Sequence, residues 1–232
     1  MILKKIIFNK FSYFILIILF GIYITFGLTV NNQITVEDRI EIKKLKLDEV
    51  CININSFKEE IKCINIVRQK IRLSATYEGC NKGKSVEPKD LIERGNGCCV
   101  EFSRFIEKTL RSYKFKTRHV FIIEPYKNKS FLNFMPLKQQ SHAASEVLTS
   151  LGWIAVDSKY DIISYKKDGD DYEIYDFKNL IENKEILKEM EINFYKKRKL
   201  DIIYGLYSRH GQFYGPNLPG PEFNWREILY NL

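Results

Sequence analysis

The sequence predicts an α+β domain carried behind an N-terminal transmembrane helix. Three observations predict it: a charge-free apolar stretch at 11–30, an amphipathic helix that starts close to Cys99, and a series of strand-like runs after that helix. Helices first and an antiparallel sheet afterwards is the order of an α+β domain. The 232 residues hold one substantial domain plus an appendage. A hydrophobic content of 45% and an aromatic content of 14% exclude a disordered chain. The expected division is a cytoplasmic N-terminus at 1–10, an anchor at 11–30, a charged stalk at 31–49 and the folded domain at 50–232.

Residues 11–30 read FSYFILIILFGIYITFGLTV, twenty residues without a charge. At 1.5 Å rise per residue they reach about 30 Å, the thickness of a hydrocarbon core. Lys4, Lys5 and Lys10 precede the stretch and the next charge is Glu37. The positive-inside rule then puts the N-terminus in the cytoplasm and exports the domain, to a periplasmic or extracellular location. Arg39, Lys43 and Lys44 on the far side pull the other way. A cleaved signal peptide is the competing interpretation. Its apolar core is normally about 7–15 residues and ends in small residues, unlike Gly27-Leu28-Thr29-Val30.

The net charge of +8 invites a nucleic-acid partner. Nucleic-acid binders concentrate their cations on one motif or stripe. Here they are spread along the chain among acidic residues, so no nucleic-acid partner is expected. The one dense run, Lys196 to Lys199, fits a solvated helix end or a contact with anionic lipid headgroups.

Within the domain, Ser56 to Leu73 carries a helical stripe at Ile61, Ile64, Ile66 and Val67. Thr76 to Pro88 is expected as a polar loop. Phe102, Phe105, Ile106, Thr109, Leu110 and Tyr113 follow helical spacing, with Glu101, Arg104, Glu107, Lys108 and Arg111 on the opposite face. Gly95-Asn96-Gly97 is a turn signal directly before Cys98 and Cys99, which places a cysteine in the first turn of the helix. Thr117 to Ile123 reads as a strand, Pro125 to Gln140 as an exposed loop. Ala143–Leu148 and Trp153–Val156 read as a hairpin joined through Thr149 to Gly152. A second hairpin turns at Asp168-Gly169-Asp170. Lys178 to Leu200 is mostly helix-forming, and a short helical piece near Trp225 to Leu229 closes an aromatic tail.

A thiol attacks as the thiolate, and a helix N-terminus offers partial positive charge and free N–H groups that lower its pKa. The same N–H groups suit the oxyanion formed at an attacked carbonyl. A base is also needed, and the chain has only His119, His142 and His210. His142 begins one strand of the first hairpin and Asp157 ends the other. A two-residue loop at Thr149-Ser150 pairs them directly, and one at Ser150-Leu151 shifts the register by two but keeps them on one face. A three-residue loop separates them. Taken singly, each residue has an ordinary role: a buried cysteine, a packed histidine, a turn-capping aspartate.

Together they resemble a known family. Gly97-Cys98-Cys99-Val100-Glu101-Phe102-Ser103 resembles the nucleophile motif of the transglutaminase-like cysteine superfamily, and Ser141-His142-Ala143-Ala144-Ser145-Glu146-Val147 resembles its histidine strand. Gly152-Trp153-Ile154-Ala155-Val156-Asp157 is similar to its aspartate segment, and Arg118 matches an arginine that commonly follows the nucleophile helix. The resemblance covers about residues 90–160. It implies a papain-like α+β core with Cys99 as nucleophile, His142 as general base and acid, and Asp157 as orienter of the imidazole. Of the paired cysteines the motif selects Cys99, leaving Cys98 without a role. Ala144 stands where the family often has an aromatic residue. The oxyanion-hole side chain is unassigned, with Asn96 a weak candidate.

The implied function is acyl transfer at amide bonds of a peptide, protein or cell-wall substrate, by hydrolysis or by transfer to an amine. No cofactor is expected: there is no zinc-ligand spacing, calcium loop or Gly-rich phosphate loop. The alternatives are a non-catalytic binding module at the cell surface and a structural membrane protein with a cytosolic body. In an exported domain one pair among Cys51, Cys63 and Cys80 can form a disulfide, with Cys51 and Cys63 nearest in sequence; free buried thiols fit equally well. The tail from Tyr207 to Tyr214 fits either a substrate-binding cleft or core packing, with His210 a rival base. Trp153 is expected in the core.

Overall fold

The computed structural model describes residues 12–21, 30, 32–80, 86–124, 141–183, 186–187, 193–196, 199–207 and 222–231. Helix α1 covers 12–21. Then follow α2 (Val36–Lys44), α3 (Phe57–Leu73), β1 (Thr76–Tyr77), α4 (Pro88–Arg94), β2 (Asn96–Gly97) and α5 (Cys99–Ser112). The sheet strands and later elements are β3 (Lys116–Ile123), β4 (Ser141–Thr149), β5 (Gly152–Asp157), β6 (Ile162–Ile163), β7 (Tyr165–Asp168), β8 (Asp171–Ile174), α6 (Phe177–Glu182), α7 (Asn193–Lys196), β9 (Asp201–Tyr204), β10 (Leu206–Tyr207), β11 (Glu222–Phe223) and α8 (Trp225–Tyr230). This is the mixed helix-and-sheet architecture that the order of periodicities implies.

The main sheet is antiparallel and runs β6-β5-β4-β3-β9. Alternation of side chains across it divides the core in two. Val147, Ile154 and Val156 meet the apolar stripes of α3 and α5, including Ile64, Val67, Phe102, Phe105 and Leu110. Val120, Ile122, Ala144 and Ala155 point to the other face and pack with Phe177, Leu180 and Tyr195 of α6 and α7. β7 and β8 form the expected second hairpin, from Tyr165 opposite Ile174 to Asp168 opposite Asp171.

The helix α3 starts at Ser56, whose hydroxyl accepts the Glu59 N–H. Its stripe Ile61, Ile64, Val67 and Ile71 is buried, as helical spacing requires. On α5 the polar face is covered as well as the apolar one. Glu101, Arg104, Glu107 and Lys108 are as buried as the apolar stripe. Each charge meets a partner from elsewhere: Arg104 pairs with Glu87 at 2.5 Å, and Lys108 with Asp38 at 2.8 Å and Glu87 at 2.6 Å. Glu107 meets His119 Nδ1 at 2.7 Å. Buried charges persist only with such partners. Asp38 belongs to α2, inside the stretch expected as a stalk, and Ile42 and Leu47 from the same stretch lie in the core.

One other element differs from the sequence expectation. The stretch expected as a polar loop contains β1, which pairs in parallel with β2, Thr76 opposite Asn96 and Tyr77 opposite Gly97. Lys178 to Leu200, read as mostly helix-forming, is helical among the described residues in α6, at 186–187 and in α7. Among the described residues no helix is long and apolar enough to cross a membrane. The expected span at 11–30 is described as helix only over 12–21, where Phe14, Leu16, Ile17 and Phe20 are all exposed. The rest of that span, except Val30, lies outside the described residues, as do the loop at 125–140, His210 and the tail beyond Tyr207 up to 221.

Candidate active site

Three features fix the approach to Cys99. Gly95 ends α4 in the left-handed conformation at φ 67°, which reverses the chain into β2. Gly97 follows in a crowded position, where an added Cβ would stand 2.5 Å from Leu91 Cδ1 and 2.8 Å from Glu101 Oε2. Glu101 then reaches back to accept the Cys98 N–H at 2.7 Å, while its other oxygen pairs with Arg94. That carboxylate satisfies an orphan donor at the helix start, so α5 begins at Cys99 with its axis held against α4.

Cys98 forms a disulfide with Cys80 and points into a small apolar cluster of Val86, Val100 and Ala143. The cysteine left without a role by sequence therefore ties the turn before α5 to the polar segment upstream. A second disulfide joins Cys51 to Cys63, the pair nearest in sequence. Cys99 alone is a free thiol, partly exposed. The sulfurs of Cys80, Cys98 and Cys99 all lie within 4.8 Å of one another. With two of them joined to each other, this cluster does not present three thiolate ligands to a metal.

The hairpin loop is Ser150-Leu151, with Thr149 opposite Gly152 and Ser145 opposite Val156. Glu60 of α3 selects it, accepting the Ser150 N–H at 2.9 Å and the Ser150 hydroxyl at 2.7 Å. Continued by one residue, this register sets 157 opposite 144, two positions from His142 and on its face. The side chains meet: His142 Nε2 lies 2.6 Å from Asp157 Oδ2, and both residues are buried. The remaining ring nitrogen, Nδ1, is left for the Cys99 side, and the thiol makes its hydrogen bonds with His142, the Ala143 N–H and Tyr77. The structure thus brings Cys99, His142 and Asp157 together.

The electrostatics follow from the contacts. Burial disfavours the Cys99 thiolate, but the hydrogen bond and charge of His142 outweigh it and hold the thiol below its ordinary range. Burial likewise opposes the imidazolium, yet the Asp157 carboxylate overrides it and lifts His142 to about 10. Asp157 stays below the usual carboxylate range despite burial, because His142, Tyr195 and the Lys159 N–H all favour its charged form. Its Oδ1 accepts the N–H groups of Lys159 at 2.8 Å and Tyr160 at 3.3 Å, an Asx turn that leaves Oδ2 to the imidazole. Both shifts favour the thiolate–imidazolium form of the pair, with a carboxylate behind it.

Several residues at the site carry no local sequence signal. Tyr77 comes from β1 and stacks on Phe102 of α5, with ring centroids 5.5 Å apart. Lys159 Nζ lies over both the Tyr77 and Tyr160 rings, at 5.4 and 5.0 Å. Tyr160 and Phe194 pack edge-on against the His142 ring, at 5.2 and 5.6 Å. Only the turn after Asp157 was findable, since Asp-Ser-Lys-Tyr has the pattern of an Asx turn.

The other sequence candidates lie elsewhere. Asn96 sits in β2 opposite Thr76. His119 is fully buried, stacked at 4.0 Å on Tyr207, whose hydroxyl donates to Glu107. Arg118 is structural: it lies between the Trp153 and Tyr204 rings, at 4.3 and 4.2 Å, and pairs with Glu146 at 2.5 Å. Glu146 in turn accepts the Phe177 N–H at 2.6 Å and fastens α6 to the sheet.

Residues 53–158 match the family model of the Transglutaminase-like superfamily. Among solved structures the chain is similar to a proposed cysteine protease from Cytophaga hutchinsonii, at 21% identity over 51% of this chain and 37% of that one, with a TM-score of 0.35. It is also similar to LapG of Legionella pneumophila, at 16% identity over 68% of this chain and 91% of that one, TM-score 0.39. A protein described as a TGase matches at 14% identity over 77% and 43% of the two chains, TM-score 0.38. The chain spans just over a third of the length of the Cytophaga protein. No curated protein matches it.

Proposed function

We propose that this chain, a member of the transglutaminase-like superfamily through residues 53–158, is a thiol enzyme acting on amide bonds, with Cys99, His142 and Asp157 as its catalytic triad. The observation that carries the proposal is the position of the His142 ring. One nitrogen stands 2.6 Å from the Asp157 carboxylate, and the same side chain hydrogen-bonds the Cys99 thiol. The Cys99 thiolate attacks the carbonyl carbon of a peptide, protein or cell-wall amide. The imidazolium gives its proton to the departing amine, the C–N bond breaks, and an acyl-thioester remains. Water or a second amine then attacks the thioester, with the imidazole taking its proton and the thiolate leaving. The Cys99 N–H at the start of α5 and the Tyr77 hydroxyl, which hydrogen-bonds the thiol, would receive the transient oxyanion. Hydrolysis is the preferred outcome for a small exported domain.

The test is alkylation of Cys99 by iodoacetamide across pH, followed by peptide mapping. Rapid labelling near neutral pH, lost in His142→Ala, supports the enzyme. Labelling at the rate of an ordinary thiol and indifferent to His142→Ala supports a binding module. Offering a peptide library with and without a primary amine, and comparing wild type with Cys99→Ala, separates hydrolysis from transfer.

The proposal extends to location: an exported domain on an uncleaved N-terminal anchor. Two disulfides favour an oxidising compartment, and the exposed apolar side chains of α1 favour a bilayer around it. Protease digestion of intact cells checks this; a domain protected until lysis would overturn it.

A further inference from the structure

The Asp157 Oδ2 atom that receives His142 Nε2 also receives a second donor, the Tyr195 hydroxyl, at 2.7 Å. Tyr195 comes from α7, 38 residues further along the chain and beyond the segment that matches the superfamily. It is almost completely buried. Its ring packs against Tyr160 at 5.6 Å, Phe194 at 5.1 Å and Phe177 at 5.9 Å, so the hydroxyl has little freedom to turn away. The carboxylate is therefore held at both oxygens: Oδ1 by the Lys159 and Tyr160 N–H groups, Oδ2 by Tyr195 and His142.

We propose that Tyr195 is a fourth, positioning member of the site, which locks the Asp157 carboxylate in the rotation that presents Oδ2 to His142. The inference rests on the thiol-enzyme reading above and adds a residue which that reading does not contain. A carboxylate with only its Oδ1 tied can rotate about its Cβ–Cγ bond; a second donor on Oδ2 fixes the plane. A buried carboxylate also needs donors to stay ionised beside an imidazolium, and a phenol hydrogen is one that no change in working pH removes. The other titratable groups facing Asp157 are His142 on β4, Tyr77 on β1 and Tyr160 on the following turn, with Cys99 behind His142.

The experiment is the pH-rate profile of Cys99 alkylation by iodoacetamide in the full chain, with thermal unfolding recorded alongside. Tyr195→Phe keeps the ring and removes the donor. The carboxylate then takes a proton more readily, so the acid limb of the profile moves up by about one pH unit. Replacing Tyr195 by 3-fluorotyrosine keeps the shape and strengthens the donor, so the limb moves down. In an Asp157→Asn background Tyr195→Phe moves nothing further, because the carboxylate it acts through is gone. A purely structural Tyr195 would lower the unfolding temperature in Tyr195→Phe and leave the limb in place in both variants, which overturns the inference. Should Tyr195→Phe fail to fold, the fluorotyrosine protein decides alone. Slow, His142-independent labelling in the wild type would instead remove the thiol-enzyme reading, and this inference with it.

Discussion

The two disulfides close loops of similar size but lie in different places, which makes their removal a controlled comparison. Cys51–Cys63 spans a sequence separation of 12, and Cys80–Cys98 one of 18. Loop-closure entropy assigns each about 3 kcal/mol of stability at 25 °C, the longer loop slightly more. We therefore expect Cys51→Ala/Cys63→Ala and Cys80→Ala/Cys98→Ala to be destabilised alike. With a urea slope of about 2–3 kcal/mol per molar, each midpoint falls by about 1 M or slightly more. The site should tell the two apart. Cys98 immediately precedes the nucleophile position and its sulfur lies within 4.8 Å of that of Cys99, whereas Cys63 lies in α3. Loss of the 80–98 tether loosens the turn into α5 and slows Cys99 alkylation at neutral pH; loss of the 51–63 bond leaves that rate unchanged. Each double variant retains Cys99 as its one free thiol, so labelling is unambiguous. Wild-type midpoints in both variants would refute the loop arithmetic. Equal slowing of Cys99 in both would refute the local role of Cys98.

Other expectations follow from single contacts. Gly97→Ala drives a methyl group into Leu91 and the Glu101 carboxylate, so it should cost about 1–3 kcal/mol in urea denaturation and slow Cys99 labelling. Gly95→Ala meets open space and only a left-handed backbone, about 1–2 kcal/mol with labelling unchanged. Glu146→Ala removes the 2.5 Å partner of Arg118 and the acceptor of the Phe177 N–H, leaving Arg118 with Asp176 at 3.6 Å and Asn231, and should cost about 1–3 kcal/mol, while Glu146→Gln, which keeps hydrogen-bonding atoms there, costs less. Stability should also depend on pH at both ends. Glu87, Glu107 and Asp157 are held below their ordinary values, so their contribution is present above about pH 4.5 and is lost as pH falls through the lowered values. His142 is raised from 6.5 to about 10, so its contribution is complete below 6.5 and drains away as pH rises to 10. Urea midpoints from pH 3 to 10 check this; an alkaline decline just as steep in His142→Ala would contradict the assignment.

The amino-acid sequence by itself determined the elements whose evidence is local. The spacing of Phe102, Phe105, Ile106 and Leu110 specifies α5, and alternation specifies β3 to β5. It also narrowed the position of His142 relative to Asp157 to a few hairpin registers, and the tertiary contact of Glu60 with Ser150 selected among them. The resemblance in the three motif segments singled out Cys99 from its neighbour. What only tertiary structure decided involves partners far apart along the chain. What covers the charged face of α5 is not legible in sequence, because periodicity says which residues share a face, and nothing about what packs on it. Asp38, Glu87 and His119 cover it here. Tyr77 reaches the thiol only through parallel pairing of two-residue strands, and Tyr195 reaches Asp157 only because α7 packs across the opposite face of the sheet. Local spacing encodes dihedral preference and face; which faces meet is set by burial summed over the whole domain, and the environment of the nucleophile was decided there.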